Sequence, residues 1–273
     1  MIKLVVNADD LGLHPRIDEG ILRAHAEGIV TSATVLATGS NVSEAVARAR
    51  AQKLALGVHL CVTTHLAPAA PAAEVRWLAP GGRFRKDWAE FAAAWIGQLV
   101  PAEEVMTELR AQVTRVRSLG VEVDHLDTHQ HLHLLPGMRR LVEGLAVELD
   151  LPLRWPRVRP SVRWLMRPAA AMKSVVLFGM SRARPKAQAR RIASHGIFES
   201  GVLNERRLLR LVSKLDQGEH EIVCHPGLSP GVVSEDPKWR YEWESEFAAV
   251  CSPRVRALIK DRGIELCSFA QLG

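Results

Sequence analysis

Paired cysteines are missing from this sequence: Cys61, Cys224, Cys251 and Cys267 are widely spaced and form no CxxC. That argues against a zinc ribbon and a disulfide framework, and makes a reducing cytoplasm the simplest setting. Long apolar runs are missing too. No stretch reaches the roughly 20 residues of a membrane span, and the apolar start at Ile2 is too short for a signal peptide before it meets Asp9 and Asp10. Acidic residues are missing from one place. From Arg154 to Arg191 there are eleven Lys/Arg and no Asp or Glu, so the net charge of +6 is local, and the remainder carries 25 basic against 30 acidic groups. This describes a basic patch, not a generally basic protein. The run has only Trp155 and Trp164 as aromatics and no reader motif, so nucleic acid is not an expected partner.

What is present is a concentration of imidazole. Residues 124–133, Asp-His-Leu-Asp-Thr-His-Gln-His-Leu-His, hold four of the chain's eleven histidines and two aspartates. A glycine stop and a short strand, Val121–Val123, precede them, and Pro136-Gly137 closes the segment. The cluster is therefore expected at the C-terminal end of a strand, where α/β folds collect their ligand-binding groups. If the strand continued, His129, His131 and His133 would share one face, with Asp127 or Asp124 available to fix a tautomer.

The rest of the 273 residues alternates strand and helix with no composition break, which predicts one domain over 1–273. Strands are expected at Ile2–Val6, Thr31–Ala37, Leu54–Leu60, Leu151–Trp155, His220–Pro226 and Ile264–Leu266. Helices are expected near 17–27, 41–51, 87–99, 102–118, 138–149, 205–214, 239–250 and 253–261. Residues 63–86, rich in Pro and Gly, read as a lid or binding loop. Leu165, Ala169, Met172 and Val176 form a helical stripe beside Arg163, Arg167 and Lys173. That pattern suits an interfacial segment with cations at anionic headgroups, or a peripheral helix with a solvated basic face.

Four strand exits carry Asp9-Asp10, His59, the His129 cluster and His225. Parallel strands closed into a barrel bring such exits to one face. Two histidines and a carboxylate make an open divalent metal site, with a spare aspartate as base and a spare histidine as acid. Other metal-dependent barrel hydrolases, a phosphoesterase or an amidohydrolase, and a non-catalytic metal-binding protein remain alternatives. A phosphoesterase would be expected to need a second ligand set. Retention of both Asp9 and His225 argues for catalysis.

Taken together, Val6-Asn7-Ala8-Asp9-Asp10-Leu11-Gly12, Gly28-Ile29-Val30-Thr31-Ser32, Gly57-Val58-His59-Leu60, residues 125–133 and Val223-Cys224-His225-Pro226 resemble the YdjC-like carbohydrate deacetylases. That group includes chitooligosaccharide deacetylases and the deacetylases associated with hopanoid biosynthesis. The resemblance implies a distorted, TIM-like (β/α) barrel and metal-dependent removal of an N-acetyl group from an amino sugar. By position it makes Asp10, His59 and His129 the ligands of one zinc or magnesium ion, Asp9 the general base and His225 the general acid. Asp127, His131 and His133 would support them, and Arg154 and Arg157, near the exit of the strand at 151–155, are expected either to support the site or to meet substrate. Residues 158–192 match the family poorly and read as a basic, apolar insertion. This favours a glycolipid substrate met at the inner face of a membrane over a soluble oligosaccharide. A homodimer is compatible with the sequence.

Overall fold

The computed structural model describes residues 1–156, 189–197, 199–229 and 241–272. Their order is β1 (Ile2–Leu11), α1 (Pro15–Glu27), β2 (Ser32–Val35), α2 (Val42–Ala51), β3 (Ala55–Leu60), α3 (Trp88–Ile96), α4 (Ala102–Ser118), β4 (Val123–Thr128), α5 (Met138–Glu148), β5 (Leu153–Pro156), β6 (Ala189–His195), α6 (Glu205–Val212), β7 (Gly218–Cys224), α7 (Trp243–Val250), α8 (Pro253–Asp261) and β8 (Ile264–Leu266). The strands run β2-β3-β4-β5-β6-β7-β1, and β1 pairs back onto β2. All these pairings are parallel. Seven strands thus form a nearly closed barrel. β7 takes one edge of β1 from Ile2 to Ala8; on the other edge β8 pairs with Ile2–Leu4 and β2 with Asn7–Leu11.

Alternation along β1 divides the core. Leu4, Val6 and Ala8 join the large apolar cluster that includes helix residues such as Ile17, Ile21 and Val46, while Val5 belongs to a second cluster with Ile192, Cys267, Phe269 and Leu272. That smaller cluster plugs the N-terminal end of the barrel. The His125 ring lies 3.9 Å from Phe269, and Gly57 of β3 makes room for it, since a Cβ there would come within 2.4 Å of the imidazole. Above the plug the interior turns polar, with Asn7, Thr34, Asp127, Arg154 and Glu221 all buried. The apolar end shuts out water; the polar end must balance its own charges.

The loop between β3 and α3 is not a free lid. Glu104, Glu108 and Gln112 are spaced four apart, so they line one face of α4. Gln112 hydrogen-bonds both backbone groups of Cys61, Glu108 accepts the N–H groups of Ala69 and Ala70, and Glu104 accepts those of Trp77 and Leu78. One helix face fixes the loop as a wall beside the strand exits.

Two expectations need correction. Residues 189–192 are not part of an insertion but the start of barrel strand β6, so the basic run overlaps a structural element. His129–Leu134 is not extended: it is a 3-10 turn with Gln130 and His131 at φ of 56° and 55°. The helical stripe at 165–176 and Arg157 lie outside the described residues. None of the described helices is long and apolar enough to cross a membrane.

The packing of Gly57 on His125 gives a direct test. Gly57→Ala should destabilise the fold by about 1–3 kcal/mol through overpacking. Adding His125→Ala should recover part of that loss, read as a negative coupling in a double-mutant cycle of chemical denaturation. Strict additivity would show that the contact is not what limits the site.

Candidate active site

The C-terminal end of β1 is bulged. Ala8 is opposite Ala33 and Leu11 opposite Val35, so two residues of β1, Asp9 and Asp10, face the single residue Thr34. Asp10 takes up the extra length at φ 71°, a left-handed conformation that aspartate tolerates better than most residues. In a regular strand one of these carboxylates would point outward. With the bulge both enter the barrel, at 4% and 1% exposure.

His59 enters from β3 with Asp127 of β4 as its register partner. Its Nδ1 lies 2.6 Å from Asp127 Oδ1, so Nε2 faces the site. His129 begins the 3-10 turn after β4, and the turn brings its Nδ1 to 3.1 Å from His59 Nε2. Asp10 Oδ1 lies 3.4 Å from His59 Nε2 and 3.2 Å from His129 Nδ1. Ligand atoms of a four-coordinate ion with bonds of about 2.0–2.1 Å stand roughly 3.3 Å apart, so the three atoms fit such an ion. The chemistry of Asp10 fits it also: both carboxylate oxygens are buried and neither accepts a hydrogen bond from a described residue. Burial disfavours a charged His59, yet Asp127 and Asp9 raise its pKa to about 9. The site is built to hold positive charge.

The same turn separates the remaining histidines. His133 is fully buried, its Nδ1 is 2.6 Å from Thr128 Oγ1, and its ring packs on Trp155 at 5.4 Å. Burial and then the Arg154 charge press its pKa down to about 3, which keeps it neutral. His131 is half-buried with its ring 6.1 Å from that of His133. Neither belongs to the group formed by Asp10, His59 and His129.

Asp9 is held differently from its neighbour. Its Oδ1 accepts from Asn7 Nδ2 at 2.7 Å, Thr34 Oγ1 at 3.3 Å and Arg154 Nη1 at 3.0 Å; its Oδ2 accepts from Arg154 Nη2 at 3.2 Å. Burial would raise its pKa, but Arg154 and His59 hold it well below the usual carboxylate range. Arg154 also contacts Asp127 at 2.8 Å and Glu221 at 3.0 Å, with no exposed side-chain surface. Of the two roles expected for Arg154, support of the site or contact with substrate, its position matches support: Arg154 lies beneath the carboxylates, inside the barrel.

His225 follows β7 and places Nε2 4.0 Å from Asp9 Oδ2. Its backbone N–H donates to Glu246 Oε2 at 2.6 Å, and its Nδ1 lies 3.8 Å from that oxygen. Burial would lower the His225 pKa, but Glu246 and then Asp9 raise it. Helix α1 approaches the same segment closely: a Cβ on Gly20 would come within 2.4 Å of Gly227 Cα. Sequence reasoning missed Asn7, Thr34, Glu221 and Glu246. The period of two along β1 and β7 could have assigned Asn7 and Glu221 to the interior with Asp9. Glu246 sits on α7, 21 residues beyond His225, with no local signal.

A family model described as YdjC-like protein matches residues 3–261. A carbohydrate deacetylase of Brevibacillus brevis is 30% identical over 279 residues, with 100% of both chains covered. A chitooligosaccharide deacetylase of Klebsiella pneumoniae is 29% identical, with 97% of each covered. Among solved structures, an Enterococcus faecalis V583 protein whose name links it to cellobiose-phosphate cleavage superposes with a TM-score of 0.77 at 27% identity, covering 98% of this chain and 97% of its own. Barrel, site motifs and full-length similarity agree, and the chain belongs to the YdjC-like family.

Proposed function

We propose that this protein is a metal-dependent hydrolase that removes the N-acetyl group from an amino sugar. The observation that carries the reading is one cluster in which Asp10, His59 and His129 offer three ligand atoms 3.1–3.4 Å apart while Asp9 and His225 face each other across 4.0 Å. The full-length relatives named as carbohydrate and chitooligosaccharide deacetylases support the same chemistry.

Asp10, His59 and His129 would hold the ion, and Asp127 would fix the His59 tautomer by accepting its Nδ1–H. Two imidazoles and one carboxylate favour zinc or a neighbouring transition ion over magnesium, which prefers oxygen ligands. When bound, the ion supplies Lewis-acid polarisation of the amide carbonyl and lowers the pKa of water. Asp9, ionised and steered by Arg154, takes a proton from the attacking water at Oδ2, which accepts from Arg154 Nη2 while Oδ1 has three donors. The water oxygen bonds to the carbonyl carbon. His225, whose proton is retained by Glu246 and Asp9, delivers it to the nitrogen as the C–N bond breaks. Acetate and a free amino sugar leave.

The acid-free basic run at 154–191 supports a sugar carried on a membrane lipid, although Arg154 itself is spent inside the barrel. Acetate release from N,N′-diacetylchitobiose and from an N-acetylglucosaminyl lipid, measured side by side on metal-loaded protein, tests both levels of the reading. Release from the lipid in excess is expected. Release from the disaccharide alone would assign the basic run to structure, and release from neither with metal bound would return the phosphoesterase, amidohydrolase or non-catalytic alternatives.

Asp9→Asn should lower kcat by about 10²–10⁴-fold with the metal content unchanged, whereas Asp10→Asn should lose the metal, as read by elemental analysis. Loss of metal in Asp9→Asn would exchange the two roles. Glu246→Gln removes the charge that raises the His225 pKa. The alkaline limb of the pH–rate profile should therefore move to lower pH, because His225 then gives up its proton earlier. An unmoved limb would remove His225 as the acid.

A further inference from the structure

A second set of ligand atoms converges in the barrel, from Asp9, His59 and Asp127, all within 4.8 Å of one another. Arg154 lies against two of its members, Asp9 and Asp127, and against Glu221 in place of His59. Arg154 Nη1 lies 3.0 Å from Asp9 Oδ1, 2.8 Å from Asp127 Oδ2 and 3.0 Å from Glu221 Oε1, contacting three carboxylates from three strands with a single nitrogen. All four side chains are buried. Three oxygens around one cationic centre is the donor arrangement of a hard divalent ion, whose bonds run from about 2.0 to 2.6 Å. A nitrogen at hydrogen-bond distance holds the same oxygens slightly farther apart.

We propose that Arg154 is a resident cation standing in a second metal position, and that it thereby limits the centre to one ion and keeps Asp9 out of metal coordination. The inference rests on the metal reading of Asp10, His59 and His129 given above. Its chemical content is a division of labour. A divalent ion in the position of Arg154 Nη1 would take Asp9 Oδ1 as a ligand and draw charge out of the carboxylate, making Asp9 a weaker base toward water. The guanidinium offsets the same carboxylates without coordinating them: it hydrogen-bonds both oxygens of Asp9 and pairs with Asp127 and Glu221 by charge, so Asp9 stays a base and not a ligand. Arg154 is in this sense a positioning residue, since it touches the base and not the substrate.

The test counts ions. Native protein, Arg154→Lys, Arg154→Ala and Arg154→Ala/Glu221→Gln are equilibrated with Mn²⁺, freed of excess by gel filtration and measured for Mn per chain and for circular dichroism. The double variant removes one carboxylate along with the guanidinium, so it lowers the repulsion that could unfold the single one. One ion is expected in the native protein and in Arg154→Lys. Two are expected in Arg154→Ala, the second displaced by millimolar guanidinium, and a second, weaker ion in the double variant. Deacetylation should fall at least 100-fold in Arg154→Ala even with both positions filled. Two ions in the native protein, or a single ion in folded alanine variants, overturns the proposal. So does failure of both alanine variants to fold in excess Mn²⁺, because a cation able to take the place would restore the charge balance. No ion in any folded variant overturns instead the metal reading on which the proposal rests.

Discussion

A guanidinium with no exposed side-chain surface is the constraint around which this barrel is arranged. Arg154 reaches from β5 to carboxylates on β1, β4 and β7, so one side chain crosses the interior and joins four of the seven strands. Removing charges from water is costly unless each is paired and hydrogen-bonded. Here the pairing is dense: Asp127 also accepts from His59, Ser194 donates to Glu221, and Asn7 and Thr34 donate to Asp9. The apolar plug of Phe269, Val5 and Ile192 shields the network from the opposite end of the barrel. Plug and network are two halves of one solution, because the charges gain strength only where water is excluded.

On that base the chain aims its site residues with two departures from regular strand geometry. The bulge at Asp9-Asp10 and the turn at Gln130-His131 each place non-glycine residues at positive φ, and each stands where a strand hands over to the site. Such conformations cost energy and persist where surrounding contacts overdetermine them. Gly12 N–H donates to Asp18, which also accepts from Asn41, so the segment after the first bulge is tied to both α1 and α2. His133 N–H donates to Thr128 Oγ1 and closes the second turn. Backbone distortion and polar anchoring occur together at both exits.

Much of this was legible in the sequence, and the limits are physical. The alternation of strands and helices reports burial with periods of 2 and 3.6, so the parallel barrel and most element boundaries follow from apolar spacing. The exits at Asp9-Asp10, His59, His129 and His225 are legible because titratable groups there interrupt apolar strands. β6 was not legible, since Arg190 and Arg191 read as the end of a basic patch when they begin a strand. The shared face expected for His129, His131 and His133 failed because a period of two holds only while the chain stays extended. Glu246 was beyond reach because its contact with His225 is made across tertiary structure.

The two adjacent aspartates show how far local chemistry can diverge in one dipeptide. Asp9 and Asp10 share burial and differ in donors. Three side chains donate to Asp9, and Arg154 gives it two of its hydrogen bonds, so its charge is balanced from within the protein. The Asp10 carboxylate has no such donors and lies against the imidazole nitrogens of His59 and His129, so its charge is offset only by groups that could themselves share a cation with it. A carboxylate with its own donors can exchange a proton without losing its place. One without them is suited to bind an ion. The single extra residue of the bulge is what lets the chain present both kinds side by side, and the chemistry proposed for the site depends on that difference.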